Sequence, residues 1–336
     1  MQQLIVESSI VNNIFSVSAV GFNQAAAAVF EFQYQHNPVY RQWCSLLNKK
    51  DRNFSISSPL LPENAPFLPI SFFKSHAVST TLFEPMLIFE SSGTTQTINS
   101  RHLVKDTAIY RESFIKAFEM YYGPIADWCI IGLLPSYLER QNSSLVMMVD
   151  AMISISGHPS SGFYLYDFEK LKETLEKTEA AGQKTLLIGV TFGLLDFAEQ
   201  FTMQLQHTII METGGMKGRK KELTRQEIHD FLKKKLGVKE IHSEYGMTEL
   251  LSQAYSLGEG RFQCPPWMKV MVRDEEDPLL VKVSGKGVLN IIDLANIYSC
   301  AFIATEDVGI VHEDGSFEVW GRLDNSDIRG CSLLVI

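Results

Sequence analysis

The stretch Lys184-Thr185-Leu186-Leu187-Ile188-Gly189-Val190-Thr191-Phe192 decides the fold. Its apolar run does not alternate with polar residues, so it reads as a strand buried on both faces, the mark of a parallel sheet. A helical segment follows from Leu194. The pattern then repeats, with His207 to Glu212 as a strand leading into Gly214-Gly215. Thr224-x-x-Glu227 has the form of a capping box, whose two side chains satisfy orphan donors at a helix start. It opens a helix predicted to run to Lys235, and Lys239 to His242 is the next strand. Upstream, Trp128 to Leu134 is another buried strand, stopped by Pro135, with Ser136-x-x-Glu139 as a second capping box. Strands alternating with helices argue for an α/β fold of mainly parallel sheets flanked by helices.

The rhythm changes toward the C-terminus. Leu280 to Val283, Val288 to Asp293, Ser299 to Ala304 and Gly309 to His312 read as strands separated by turns, and Phe317 to Trp320 follows the hairpin signal Asp314-Gly315. The expectation is an α/β body to about residue 280, a C-terminal β-rich subdomain over 280–320, and a hinge with a short tail over 321–336. Earlier, Ala25 to Ala28 lies inside an N-terminal helix. Residues 51–90 are broken by Pro59, Pro62, Pro66, Pro69 and Pro85. From Thr107 to Tyr122 apolar residues recur at helical spacing.

Composition excludes several classes of function. At 336 residues, 45% hydrophobic and 21% charged, the chain can bury a large core. A net charge of −9 disfavours nucleic acid, whose phosphates reward surplus Lys and Arg. The runs Lys217 to Lys221 and Lys233 to Lys235 read as solvated faces. No apolar stretch reaches the length of a bilayer span, and the first basic residue is Arg41, so no secretory signal is expected and the compartment is read as cytoplasmic. Cys44, Cys129, Cys264, Cys300 and Cys331 form no CxxC pair, which points to free thiols rather than disulfides or zinc.

Three segments carry chemistry. Ser91-Ser92-Gly93-Thr94-Thr95-Gln96 follows the apolar run Met86 to Phe89, where hydroxyls and backbone N–H groups could wrap phosphate oxygens; no Walker P-loop occurs. Ser243-Glu244-Tyr245-Gly246-Met247-Thr248-Glu249 follows a strand. Glu249 and Thr248 are hard oxygen ligands suited to Mg²⁺ beside phosphates, and Tyr245 has a face for a purine. The same residues also suit an ordinary strand-end turn. The third segment joins Thr305-Glu306-Asp307 to Gly321-Arg322-Leu323-Asp324. Asp307 is either a turn former or an acceptor for a ribose diol, with Arg322 as donor.

Together these segments resemble the adenylate-forming superfamily of acyl-CoA synthetases, luciferases and adenylation domains. Its phosphate loop reads S/T-S-G-T-T-G, its magnesium motif Y-G-x-T-E, its ribose motif T-G-D and its hinge G-R-x-D-D. Pro66 to Lys74, Ser100-Arg101-His102 and Ile328 to Leu333 are similar to a nearer family, the acyl-protein synthetases of bacterial bioluminescence (LuxE type). The resemblance runs from about Asn37 to the end.

It implies the superfamily's N-terminal core without the mobile C-terminal domain and its catalytic lysine. Ser91, Ser92, Gly93, Thr94 and Thr95 would cradle the β- and γ-phosphates of ATP. Gly214 and Gly215 would pass close to adenine, with Tyr245 stacked on it. Thr248 would meet the α-phosphate, Glu249 the Mg²⁺, and Asp307 and Arg322 the ribose. Cys331 would accept the acyl group. Gln96 departs from the loop's glycine, and Glu306 from that of the ribose motif. No lysine follows the loop at the usual place; either Arg101 replaces it or no charge is needed there.

The implied activity is ATP- and Mg²⁺-dependent activation of a carboxylic acid, a fatty acid by the resemblance, then transfer to a thiol. The implied partner is a protein that accepts or donates the acyl group. One alternative hands the acyl group to an external thiol such as coenzyme A or a carrier protein. Another is a non-catalytic nucleotide- or acyl-binding protein of the same fold.

Overall fold

A computed structural model describes residues 2–48, 61–91, 98–134, 142–165, 167–214 and 223–323. Strands Cys129–Leu133, Thr185–Val190, Thr208–Thr213 and Ile241–Tyr245 pair in parallel, with Gly162–Phe163 at the outer edge. All four longer strands are buried on both faces. Cys129, Ile131, Leu133, Leu187, Ile210 and Ile241 enter one core, against helices Phe168–Ala180, Thr191–Gln200 and Arg225–Leu236. Ile130, Leu186, Ile188 and Met211 enter the other, with helices Thr107–Tyr122 and Ser144–Ser156.

The helix boundaries have local causes. Thr224 and Glu227 form the expected capping box, and Gly237, at φ +69°, ends that helix with a bond from its N–H to the Lys233 carbonyl. Asp106 caps Thr107–Tyr122 by accepting from the Ala108 N–H at 2.8 Å. The capping box read at Ser136 lies outside the described residues; the helix that follows opens at Ser143, whose hydroxyl accepts from the Val146 N–H.

After Tyr245 the chain reverses. Ala254–Ser256 pairs antiparallel to Ile241–Tyr245, and Phe262–Gln263, Phe317–Arg322, Phe302–Val311, Gly285–Asp293, Met268–Arg273 and Val281–Lys282 extend the sheet in that order. With Leu68–Pro69, which pairs beside Phe302–Val311, this sheet has 13 strands, and the hairpin Leu87–Glu90 with Arg101–Val104 forms a separate one. The antiparallel strands thus begin near Ala254, ahead of the change read at residue 280, and join the parallel strands edge to edge.

One strand reading needs correction. Ser299 to Ala304 and Gly309 to His312 were expected as two strands around a turn at Thr305-Glu306-Asp307. The structure instead runs a single strand, Phe302–Val311, through that turn. Thr305 and Asp307 look like turn formers in sequence, but both are buried in the strand with partners. The Thr305 hydroxyl donates to the Leu289 carbonyl at 2.7 Å, and the Asp307 N–H donates to the same hydroxyl at 3.1 Å. Satisfied polar groups do not force a strand to end.

The N-terminal helix Phe22–His36 carries the alanine run and is fastened to the far end of the chain. Fully buried Gln33 donates its side-chain amide to the carbonyls of Asn296 and Ile297 at 2.9 and 3.0 Å, and accepts from the Ala301 N–H at 2.9 Å.

Candidate functional site

Thr213, Glu244 and Tyr245 stand at the carboxyl ends of adjacent parallel strands, where the sheet turns antiparallel. Open α/β sheets bind ligands at such strand ends, where the connections change direction.

Asp307 is the centre of the first cluster. It is 6% exposed, and its Oδ2 accepts from the Tyr245 hydroxyl at 2.7 Å. Its Oδ1 accepts from Nε of Arg322 at 3.0 Å, and the two residues face each other across neighbouring strands. A carboxylate offers about four acceptor positions, so two protein donors leave capacity for a ligand diol. The Tyr245 ring is packed against Phe262 and Phe317, with centroids 5.8 and 5.3 Å away. Burial, then the neighbouring Asp307 charge, holds its hydroxyl in the neutral, donating form by raising its pKa well above 10.

Glu249 forms the second cluster, 6% exposed at the end of the turn after Tyr245. Burial raises its pKa, opposed by a hydrogen bond from Ser100 and by the charges of Arg322 and Lys74. Its backbone carbonyl accepts from Nδ2 of Asn296 at 2.7 Å. The carbonyl of half-buried Thr248 is 2.8 Å from Nδ1 of His102; a carbonyl only accepts, so that nitrogen carries the proton.

The base of the predicted phosphate loop is a hairpin. Leu87–Glu90 pairs with Arg101–Val104, and above it the Ser91 N–H donates to the Ser100 carbonyl at 3.1 Å while the Ser100 N–H donates to the Ser91 hydroxyl at 2.9 Å. Arg101 lies 3.7 Å from Glu90, an exposed ion pair across the hairpin. Gly214 adopts φ +73°, and its carbonyl accepts from the Thr191 hydroxyl at 3.0 Å. Ser92, Gly93, Thr94, Thr95, Gln96, Gly215 and Cys331 lie outside the described residues. The structure therefore brings Tyr245, Asp307 and Arg322 into one hydrogen-bonded group. Gly214 follows the strand beside Ile241–Tyr245, Ser91 follows a strand of the separate two-stranded sheet, and Arg322 is electrostatically felt at Glu249.

Sequence reasoning missed several residues here. Lys74 and His102 sat in stretches noted only for family likeness, and Glu244 had no signal beyond being a charged residue in an apolar strand. Glu244 is 8% exposed and accepts a short hydrogen bond from the Thr213 hydroxyl. A Cβ at position 246 would meet Oε1 of Glu244, so a side chain there would displace this carboxyl.

Burial pushes the Glu244 carboxyl up to about 7, from 4.5. The native state then binds more protons than the unfolded chain between those values, so this contribution to stability is full below pH 4.5 and lost as pH rises through 7. Glu244→Gln is expected to exceed the wild type at pH 8 by roughly 2–3 kcal/mol, with little difference at pH 4.5. Urea midpoints at both pH values check this; parallel pH curves for the two proteins would count against it. Asp293, raised to about 6 by burial, adds the same trend to both proteins and cancels in the comparison.

In the structure of O-succinylbenzoate coenzyme A synthetase from Bacillus subtilis in complex with AMP, 71% of this chain aligns at 15% identity with a TM-score of 0.50. The aligned part spans 61% of that synthetase, and the likeness shows the fold alone. The long-chain-fatty-acid–luciferin-component ligase of Aliivibrio fischeri is 24% identical over 332 residues, covering 90% of this chain and 85% of the relative. Its counterpart from Vibrio harveyi is 20% identical, covering 90% and 84%. The model of the family described as acyl-protein synthetase, LuxE, matches residues 4–336, and this chain belongs to that family.

Proposed function

We infer that this enzyme activates a long-chain fatty acid with ATP, as an acyl adenylate, and passes the acyl group to a protein thiol. The observation that carries the reading is the Tyr245–Asp307–Arg322 group, which gathers at the end of the strand Ile241–Tyr245 and is electrostatically linked through Arg322 to buried Glu249. The family match over nearly the whole chain and the names of its ligase relatives support the acid and the protein acceptor over coenzyme A.

The chemistry follows from what the residues offer. A carboxylate is a poor electrophile until one oxygen becomes a good leaving group. The acid's oxygen attacks the α-phosphorus of ATP, the bond to the bridging oxygen breaks, and pyrophosphate leaves. Asp307 accepts from the ribose hydroxyls while Tyr245 and Arg322 keep its carboxylate in place. Thr248 donates to the α-phosphate. By the family resemblance, the Ser91–Thr95 loop is assigned to the phosphates and Gly214–Gly215 to the adenine edge. A thiolate then attacks the acyl carbon, forming the C–S bond as AMP departs. Cys331 is our candidate for that thiol, and its proton goes to solvent.

The donor set fits magnesium. Among the described residues no group of three or more His, Cys, Asp and Glu gathers into a cage. Mg²⁺ is bound through one or two carboxylates plus substrate phosphates, and Glu249 with the Thr248 hydroxyl supplies hard oxygens of that kind. When bound, the ion offsets the negative charge that grows on pyrophosphate.

Among the described residues no helix is long and apolar enough to cross a membrane. The test is incubation of the protein with ATP, Mg²⁺ and a series of fatty acids, read by intact mass and by pyrophosphate exchange. One acyl group per chain, removable by neutral hydroxylamine, is the expected product. Exchange without any adduct would favour release to an external thiol, and the absence of both would sink the reading.

A further inference from the structure

We propose that Ser100 and His102, on the strand leaving the phosphate loop, are positioning residues that hold Glu249 in its metal-binding geometry. The inference rests on the reading of Glu249 as the metal ligand.

The two segments lie far apart in sequence and are joined by short contacts. His102 is 1% exposed, and its Nδ1–H donates to the Thr248 carbonyl at 2.8 Å. Its ring is fixed edge-on between Phe73 and Phe89, at 5.7 and 6.4 Å between centroids. Ser100, 2% exposed, lies close enough for its hydroxyl to oppose the rise in the Glu249 pKa. On the opposite side Asn296 holds the Glu249 carbonyl. The backbone on either side of Glu249 is thus held by His102 at the Thr248 carbonyl and by Asn296 at its own, with the Ser100 hydroxyl near the carboxylate.

The same residues close the phosphate loop. Ser100 exchanges two hydrogen bonds with Ser91 across its base, and His102 stands opposite Phe89 in the hairpin. A ligand held in advance binds its ion without the cost of being ordered at that moment. His102 touches neither substrate nor metal; it acts through the peptide it holds.

The experiment compares His102→Leu, His102→Asn, Ser100→Ala and Glu249→Gln with the wild type. Asn places an amide N–H at the same bond count as Nδ1 and is the rescuing substitution. Two quantities are read: the Mg²⁺ concentration for half-maximal pyrophosphate exchange, and ATP affinity by calorimetry with and without Mg²⁺. His102→Leu and Ser100→Ala are each expected to need about tenfold more Mg²⁺, the size of one lost hydrogen bond to a charged or buried partner. Metal-free ATP affinity should stay within about twofold, the noise of one weak contact, and His102→Asn should return toward wild type.

If His102→Leu does not fold, Ser100→Ala and His102→Asn still decide the matter. The proposal is overturned if Glu249→Gln shifts the Mg²⁺ requirement while Ser100→Ala does not, or if metal-free and metal-bound affinities fall together. If Glu249→Gln itself leaves the Mg²⁺ requirement unchanged, the metal assignment has failed, and that result is separable from the first two.

Discussion

Glu249→Gln is expected to cut ATP–pyrophosphate exchange by on the order of a hundredfold or more, the scale on which one transition-state electrostatic contact acts. The substitution keeps the shape of the side chain, so the fold should survive. It removes a buried carboxylate charge that Arg322 and Lys74 feel electrostatically. Buried carboxylates without a partner are costly, and this one is retained with its pKa raised by burial rather than relieved by an adjacent ion pair. A bound dication would provide the missing charge. Affinity for ATP without metal should change little or improve, since repulsion between the carboxylate and phosphate is gone. Exchange near the wild-type rate in the variant would return Glu249 to a structural part in the turn.

Cys331→Ser should separate the two half-reactions. The acyl adduct is expected to vanish, because an alkoxide is far less available than a thiolate near neutral pH, while pyrophosphate exchange continues. The other cysteines are poor competitors. Cys44, Cys129 and Cys300 are buried, and burial raises all three thiols, Cys44 to about 12. Cys264, half-buried, is raised to about 12 as well. A thiol with so high a pKa is almost wholly protonated at pH 7 and is a weak nucleophile. An adduct that persists in Cys331→Ser, mapped by peptide mass to another position, would remove Cys331 from the mechanism.

The parallel half of the sheet was legible because each strand there is buried on both faces, so Leu186 to Val190 and Ile209 to Met211 show unbroken apolar runs. The cap at Thr224 and the turn at Gly315 follow from local chemistry and were readable from it. What the sequence hid was partnership at a distance. Asp307 looks like a turn residue because its partners, Tyr245 and Arg322, lie 62 and 15 positions away. His102 looks like one more residue after a loop until the Thr248 carbonyl, 146 positions on, is seen above it. Glu244 gave no periodic signal at all; its meaning depends on the missing side chain of Gly246.

The Gln33 amide has a consequence for how the molecule is made. Its three partners, Asn296, Ile297 and Ala301, are synthesised more than 260 residues after it. Until they exist, a docked N-terminal helix would bury an amide with nothing to bond, so that docking waits on nearly the whole chain. Contacts of such sequence separation slow folding, because loop closure must precede any reward. Phe30 meets Phe302, 5.9 Å away between centroids, only once the C-terminal strands exist, and apolar surface left waiting in this way is what exposes a nascent chain to misassociation.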